Sequence, residues 1–203
     1  QQLFGDASYY DEKEKLYLIP ELFDYLRQHT PRELEFMYDV HERLMPVDAL
    51  GLAKSLEPYR LFFLEDLLPP EQWEWFREIR KQTAVPLAMG ELFSHPNTVK
   101  SMLDERLLDY LRIHPSDMGG GTPCLKLADI CADKGIRTAW HGPGDLTPIG
   151  LTAAVHMDIN KPNFGIQEWA FRNDLEHEIF TGIPEIRGNM AVPNGKPGWG
   201  IEF

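Results

Sequence analysis

Three carboxylates in this chain each close a short apolar run, and they recur at a fixed interval. Asp39 follows Leu34-Glu35-Phe36-Met37-Tyr38, Glu65 follows Leu61-Phe62-Phe63-Leu64, and Glu91 follows Pro86-Leu87-Ala88-Met89-Gly90. Both intervals are 26 residues. One strand, one helix and two turns consume a length of that order, so each acid is expected at the C-terminal end of one of three consecutive parallel strands. Three acids at one mouth repel one another. A cation neutralises them, and an all-oxygen shell suits Mg²⁺, which usually keeps open positions for substrate oxygens. The competing reading is that each acid caps the helix that follows it.

Five more residues are placed to do chemistry at the same end. His41 lies two residues past Asp39 and therefore on the same side of an extended backbone. Arg112 sits inside the apolar run Leu108 to Ile113, where a guanidinium needs an anion nearby. His141 and Glu168 close two further runs, and Asp145 lies in the Gly/Pro-rich stretch after His141. Each has an ordinary alternative: His41 as a surface loop residue, Asp145 as the N-cap of a helix starting at Thr147, Glu168 as the partner of a structural arginine. His95, His114, His156 and His177 have no assignable partner in the sequence and read as satisfied surface or core histidines.

The elements that must position these groups follow from periodicity. A helix is expected within Asp11 to His29, interrupted or entered at Pro20, and then a strand from Leu34 to Asp39. Helices at Val47 to Leu56 and after Pro69-Pro70 flank the strand Leu61 to Glu65. Pro86 to Gly90 is apolar enough to be buried on both faces. A helix from Asn97 to Asp104, the strand Leu108 to Ile113, a tight turn at Gly119-Gly120-Gly121 and a helix to Lys134 come next. Strand Ile136 to Trp140, helix Ile149 to Met157 and strand Asn163 to Gln167 complete the pattern. Positions 39, 65, 91, 117, 141 and 168 are separated by 26, 26, 26, 24 and 27 residues. Asp117 fits that period, but the triple glycine near it lets it be plain turn chemistry, and it is not counted among the site residues.

Six such units with no hairpin signal between them predict an α/β chain of the (β/α)-barrel type rather than an open sheet. A full barrel has eight strands in typically ~250 residues, so the first strands are expected to lie outside this chain. Residues 1–170 are read as the barrel portion, third to eighth strands. Residues 171–203 are read as a loop-rich C-terminal segment, or a hairpin, packing back over the mouth and the capping region.

Composition bounds the function. The 203 residues carry a formal net charge of −12, which argues against a nucleic-acid partner. Cys124 and Cys131, seven apart on one expected helix, form neither a disulfide framework nor a zinc pattern. No apolar run is long enough to span a bilayer, and a cytoplasmic location is expected.

Asp39-Val40-His41, the later Glu65 and Glu91, Tyr110-Leu111-Arg112, His141-Gly142-Pro143-Gly144-Asp145-Leu146-Thr147-Pro148 and Pro162-Asn163-Phe164-Gly165-Ile166-Gln167-Glu168 together resemble the mannonate dehydratase family of the enolase superfamily. That family also holds D-gluconate dehydratases and the starvation-sensing proteins. The resemblance implies a modified (β/α)7β barrel preceded by a capping domain, with Asp39, Glu65 and Glu91 as Mg²⁺ ligands and His41 as an acid/base residue. It implies Glu91, Arg112, His141, Asp145 and Glu168 as the residues that bind a sugar acid, in a homo-oligomer. The family's second acid/base group is a tyrosine on a loop expected before Gln1; Tyr9 and Tyr10 are in the wrong place for it. Pro143 stands where many mannonate-specific members have alanine, which keeps D-gluconate in view as substrate. The alternatives are a weak or inactive homologue with a regulatory or binding role, or another acid-sugar lyase or racemase. A racemase or cycloisomerase would usually carry a Lys-x-Lys strand, or an asparagine in place of His41, and neither is present.

Overall fold

The computed structural model describes residues 12–202, and these fall into two compact units that meet in sequence between Met89 and Gly90. Tyr9 and Tyr10 lie outside the described residues.

In the first unit, α1 (Glu12–His29), β1 (Met37–Asp39), α2 (Pro46–Leu56), β2 (Phe63–Glu65), α3 (Phe76–Gln82) and β3 (Leu87–Met89) alternate as expected. The three strands are parallel. Met37, Tyr38 and Asp39 pair with Phe63, Leu64 and Glu65, so the 26-residue period is a true register between β1 and β2. Between β2 and β3 the register is shorter: Glu65 pairs with Ala88, and Glu91 lies three residues beyond that partner, past the end of the strand. Helix α1 runs straight through Pro20 instead of starting there. Ile19 and Phe23 bury on its inner face, and that packing offsets the hydrogen bond the proline cannot donate. Before α3, Pro70–Trp75 is a 3₁₀ segment.

The second unit continues with α4 (Pro96–Asp104), β4 (Tyr110–Leu111), α5 (Gly121–Lys134), β5 (Arg137–Thr138) and α6 (Pro148–Asn160). β4 and β5 pair in parallel, Tyr110 with Arg137 and Leu111 with Thr138. The strand expected over Asn163 to Gln167 is only a single parallel bridge, Thr138 to Phe164. Side chains replace most of its ladder. Asn163 Nδ2 donates to the carbonyls of Ala128 (3.1 Å) and Ile136 (2.9 Å), and Gln167 Nε2 donates to Trp140 O at 3.2 Å. Gly165 passes so close to the Tyr110 ring and the Thr138 carbonyl that any side chain there would collide.

Beyond Glu168 the chain is more ordered than its composition predicts. Asn173 and Glu176 form a capping box that starts α7 (Asp174–Ile179). A hairpin then pairs β6 (Glu185–Arg187) with β7 (Met190–Val192), across a two-residue loop whose first member, Gly188, takes φ +63°, as a type II′ turn requires. No described helix is long and apolar enough to cross a membrane.

Candidate active site

In the first unit the site is built on the ends of β1 and β2. The chain does not stay extended past Asp39: His41 and Glu42 take φ +57° and +60°. The expectation that alternation along a strand aligns His41 with Asp39 therefore fails, yet the two side chains still meet. The Asp39 carboxylate accepts the His41 backbone N–H at 2.7 Å, the closure of an aspartate-initiated turn. The same carboxylate lies 3.2 Å from His41 Nδ1. Two consecutive non-glycine residues in the left-handed region store strain, a cost tolerated mostly at functional positions.

Glu65, in register with Asp39, is buried, as is the next residue, Asp66. The turn brings in an acid that the sequence reading passed over. The Glu42 N–H donates to Asp66 O at 2.7 Å, and a Glu42 carboxylate oxygen lies within 4.8 Å of one from Asp66. Burial pushes the Glu42 carboxyl above its usual range; His41 opposes this, while Asp39, Glu71 and Glu65 add to it. A set of hard oxygen donors that repel one another fits a small divalent cation such as Mg²⁺.

In the second unit the ends of β4 and β5 gather a second group. Arg112 is buried and donates to Ala139 O at 3.1 Å, Trp140 O at 3.3 Å and Glu168 Oε2 at 3.0 Å. The anion expected beside Arg112 is thus Glu168, and the two predicted site residues hold one another. Glu168 Oε2 also accepts the Gly142 N–H at 2.8 Å. Burial alone would raise the Glu168 carboxyl, but Arg112, the Gly142 N–H and His141 outweigh it and hold it below its usual range.

His141 Nε2 stands 3.1 Å from Glu91 Oε2 and 3.9 Å from Glu168 Oε2. Burial pushes the His141 imidazole down to about 4; Glu168 and Asp145 oppose that shift, and Arg112 and His114 add to it. Gly90, at φ +147°, lets the turn carrying Glu91 lie against the backbone of Arg112 and Ile113, where a Cβ would meet Ile113 N at 3.0 Å. Asp145 is exposed and is not the cap of α6, whose N-cap is Thr147, accepting from Gly150 N. Its loop is held instead by Arg172, which donates to Leu146 O (2.6 Å), Pro143 O (3.4 Å), Ala170 O (3.1 Å) and Glu176 (3.0 Å).

The second unit therefore joins Glu91, Arg112, His141 and Glu168 in one hydrogen-bonded group, with Asp145 acting on it through charge. The first unit joins Asp39 and His41, with Glu65 beside them. Sequence reasoning missed Glu42, His114 and Arg172. His114 could have been found, since it follows Arg112 by two residues at a strand end.

Parallel β/α units with carboxylates and a buried arginine at the strand ends define an α/β chain of the (β/α)-barrel class. A family model described as enolase C-terminal domain-like matches residues 19–203, and the chain belongs to that family. It is 48% identical over 195 residues to a D-galactonate dehydratase family member of Musicola paradisiaca, covering 96% of this chain and 47% of that protein. A crystal structure of an enolase from Pantoea ananatis with bound D-gluconate and Mg is 47% identical, with a TM-score of 0.94 over 96% of this chain and 47% of that one. A mandelate racemase/muconate lactonizing enzyme from Jannaschia sp. CCS1, at 23% identity, shares the fold with a TM-score of 0.85 over 97% of this chain and 52% of its own. The chain spans about half the length of the curated relatives it matches.

Proposed function

We propose that this chain carries the site of a Mg²⁺-dependent sugar acid dehydratase that converts D-gluconate, D-mannonate or both to 2-dehydro-3-deoxy-D-gluconate. The observation that carries this reading is the 47% identity and TM-score of 0.94 to a structure holding D-gluconate and Mg. The D-galactonate dehydratase name of the curated relatives supports the reaction class. In this reading residues 1–170 are barrel and residues 171–203 cover it, and the enzyme works as a cytoplasmic homo-oligomer.

Asp39, Glu65 and Glu91 would hold the metal, and their all-carboxylate chemistry suits it. When bound, Mg²⁺ would supply the positive charge that stabilises a carboxylate substrate as the family's second acid/base group, a tyrosine, takes the proton from its α-carbon. The chain's own residues do the rest. With Nδ1 held against Asp39, His41 delivers a proton from Nε2 to the C3 hydroxyl, which departs as water. The resulting enol tautomerises to the 2-keto-3-deoxy acid. Arg112 and Glu168 present a fixed donor–acceptor pair to the sugar hydroxyls, His141 and Glu91 hold the next, and Asp145 reaches from its loop. A wrong epimer leaves such buried polar groups unpaired, which discriminates strongly.

The test is a screen of the whole protein with Mg²⁺ against hexonic and pentonic acids that include D-gluconate, D-mannonate and D-galactonate, reading the 2-keto-3-deoxy product by semicarbazide absorbance. Product from D-gluconate or D-mannonate is expected. Product from D-galactonate alone would keep the reaction and change the substrate. No product from any acid, with Mg²⁺ bound, overturns the proposal. His41→Ala should lower kcat by about a hundredfold or more, and Glu65→Gln should lose Mg²⁺ binding while remaining folded.

A further inference from the structure

Arg172 has no part in the mechanism above, yet its side chain is only 2% exposed and bridges two parts of the fold. Of the backbone carbonyls it donates to, Leu146 O (2.6 Å) and Pro143 O (3.4 Å) are the two ends of one turn. The Leu146 N–H donates to Pro143 O at 3.2 Å, which closes four residues with Gly144 and Asp145 at the centre. Asp145 is exposed and stands at the crest, so its carboxylate goes where the turn goes. Leu146 is held through its side chain as well: it is buried and packs so closely on Gly150 that a Cβ there would collide with it. The same guanidinium reaches α7. Glu176 Oε1 accepts from Arg172 at 3.0 Å, Glu176 Oε2 accepts the Asn173 N–H at 3.0 Å, and Asn173 Oδ1 accepts the Glu176 N–H at 3.0 Å. One carboxylate thus serves both the capping box that starts α7 and the clamp on the turn.

We propose that Arg172 is a positioning residue for substrate selection: it ties the turn at 143–146 to the start of α7 and so sets where Asp145 meets the sugar hydroxyls. The consequence for selection rests on the sugar acid reading, in which Asp145 binds substrate; the tie between turn and helix rests on the hydrogen bonds alone. A surface turn closed by one backbone hydrogen bond opens easily. A planar fork that reaches both of its ends removes that freedom, and a lysine, with a single ammonium, cannot span them. A carboxylate held in one place leaves a wrong epimer's hydroxyl unpaired, whereas one that wanders can follow either epimer. The proton transfers at C2 and C3 belong to other residues, so loss of the clamp acts on binding and leaves the chemical step largely intact.

Kinetics of the whole protein with Mg²⁺ on D-gluconate, D-mannonate and D-galactonate test this. Arg172→Lys should raise KM for the acid the wild type prefers about tenfold with kcat much less affected, the worth of one well-placed hydrogen bond. It should also narrow the preference over the other two acids. Glu176→Ala, which keeps the guanidinium but removes its anchor on α7, should act in the same direction and less strongly. In an Asp145→Ala background, Arg172→Lys should change KM by less than about twofold, because the group it positions is gone. Equal KM penalties with and without Asp145 overturn the proposal. So does a fall in kcat at unchanged KM and unchanged preference, which is how general destabilisation acts. Should Arg172→Lys fail to fold, Glu176→Ala, alone and combined with Asp145→Ala, decides. Hydrogen exchange at the Leu146 amide tests the tie without turnover: Glu176→Ala should speed it, and protection unchanged from wild type overturns the tie. A wild type that turns over none of the acids refutes the dehydratase reading and the role in selection with it, while the exchange result still judges the tie.

Discussion

Asp158 offers the sharpest test of how this fold handles charge. It sits on the inner face of α6 with Leu151, Ala154 and Val155, and neither of its carboxylate oxygens reaches a hydrogen-bond partner. Burial pushes its carboxyl from the usual 3.8 up to about 8, and the Trp140 indole beside it offsets only part of that rise. The folded chain therefore keeps this proton up to about pH 8, whereas the unfolded chain releases it near 3.8. Between those values the folded state binds more protons, so stability falls as pH rises and the loss levels off above pH 8. At about 1.4 kcal/mol per pH unit, the interval from pH 5 to 8 sets an upper bound of ~4 kcal/mol, and relaxation around the buried group should leave ~2–4. Asp158→Asn removes the titration. Urea unfolding of both proteins at pH 5 and pH 8 should show the variant's advantage growing by that amount across the interval. The comparison between pH values cancels whatever the amide itself costs in packing. An advantage equal at the two pH values would refute the burial argument.

Three further outcomes follow from the second unit. Arg112→Leu leaves Glu168 without its partner (3.0 Å) and should cost ~2–3 kcal/mol in urea unfolding, with the Glu168 carboxyl rising in ¹³C-detected titration. Arg172→Ala strips the donors from Leu146 O, Pro143 O and Ala170 O. It should cost ~2 kcal/mol and speed amide exchange through the loop from Gly142 to Pro148, which slow exchange there would contradict. Gly142→Ala places a Cβ against the Glu168 backbone carbonyl. It should displace Glu168 from Arg112 at a cost of ~1–3 kcal/mol, visible as an upward shift of the Glu168 titration, and an unshifted Glu168 would show that the segment yields easily.

The alternation of elements was legible because each strand is a short apolar run between breakers, and the 26-residue interval between Asp39 and Glu65 is a real register. The same interval misleads for Glu91, which the shorter β2–β3 register leaves three residues past the strand partner of Glu65. Hydrophobic pattern could not reveal that the last strand is mostly replaced by Asn163 and Gln167 side chains, since amides that satisfy backbone carbonyls look like ordinary loop residues. Nor could it reveal the turn at His41 and Glu42, because positive φ in non-glycine residues leaves no compositional trace. The α7 capping box was readable as Asn173-x-x-Glu176 but lay in a stretch dominated by glycine and proline signals. The pairing of Arg112 with an anion was foreseeable from burial alone. Its partner, 56 residues away, was not.

Cys124 and Cys131 face inward from α5 with no measurable exposure. Burial pushes both thiols up to about 12. Alkylating reagents attack the thiolate, so at neutral pH these sulfurs are silent twice over, hidden and protonated. Each becomes reactive only when its part of the helix opens. Their labelling rates, followed by mass spectrometry in plain buffer, are therefore two internal clocks placed two turns apart on one helix. If the clocks run together, the helix opens as a single cooperative unit; if they differ, it frays from one end.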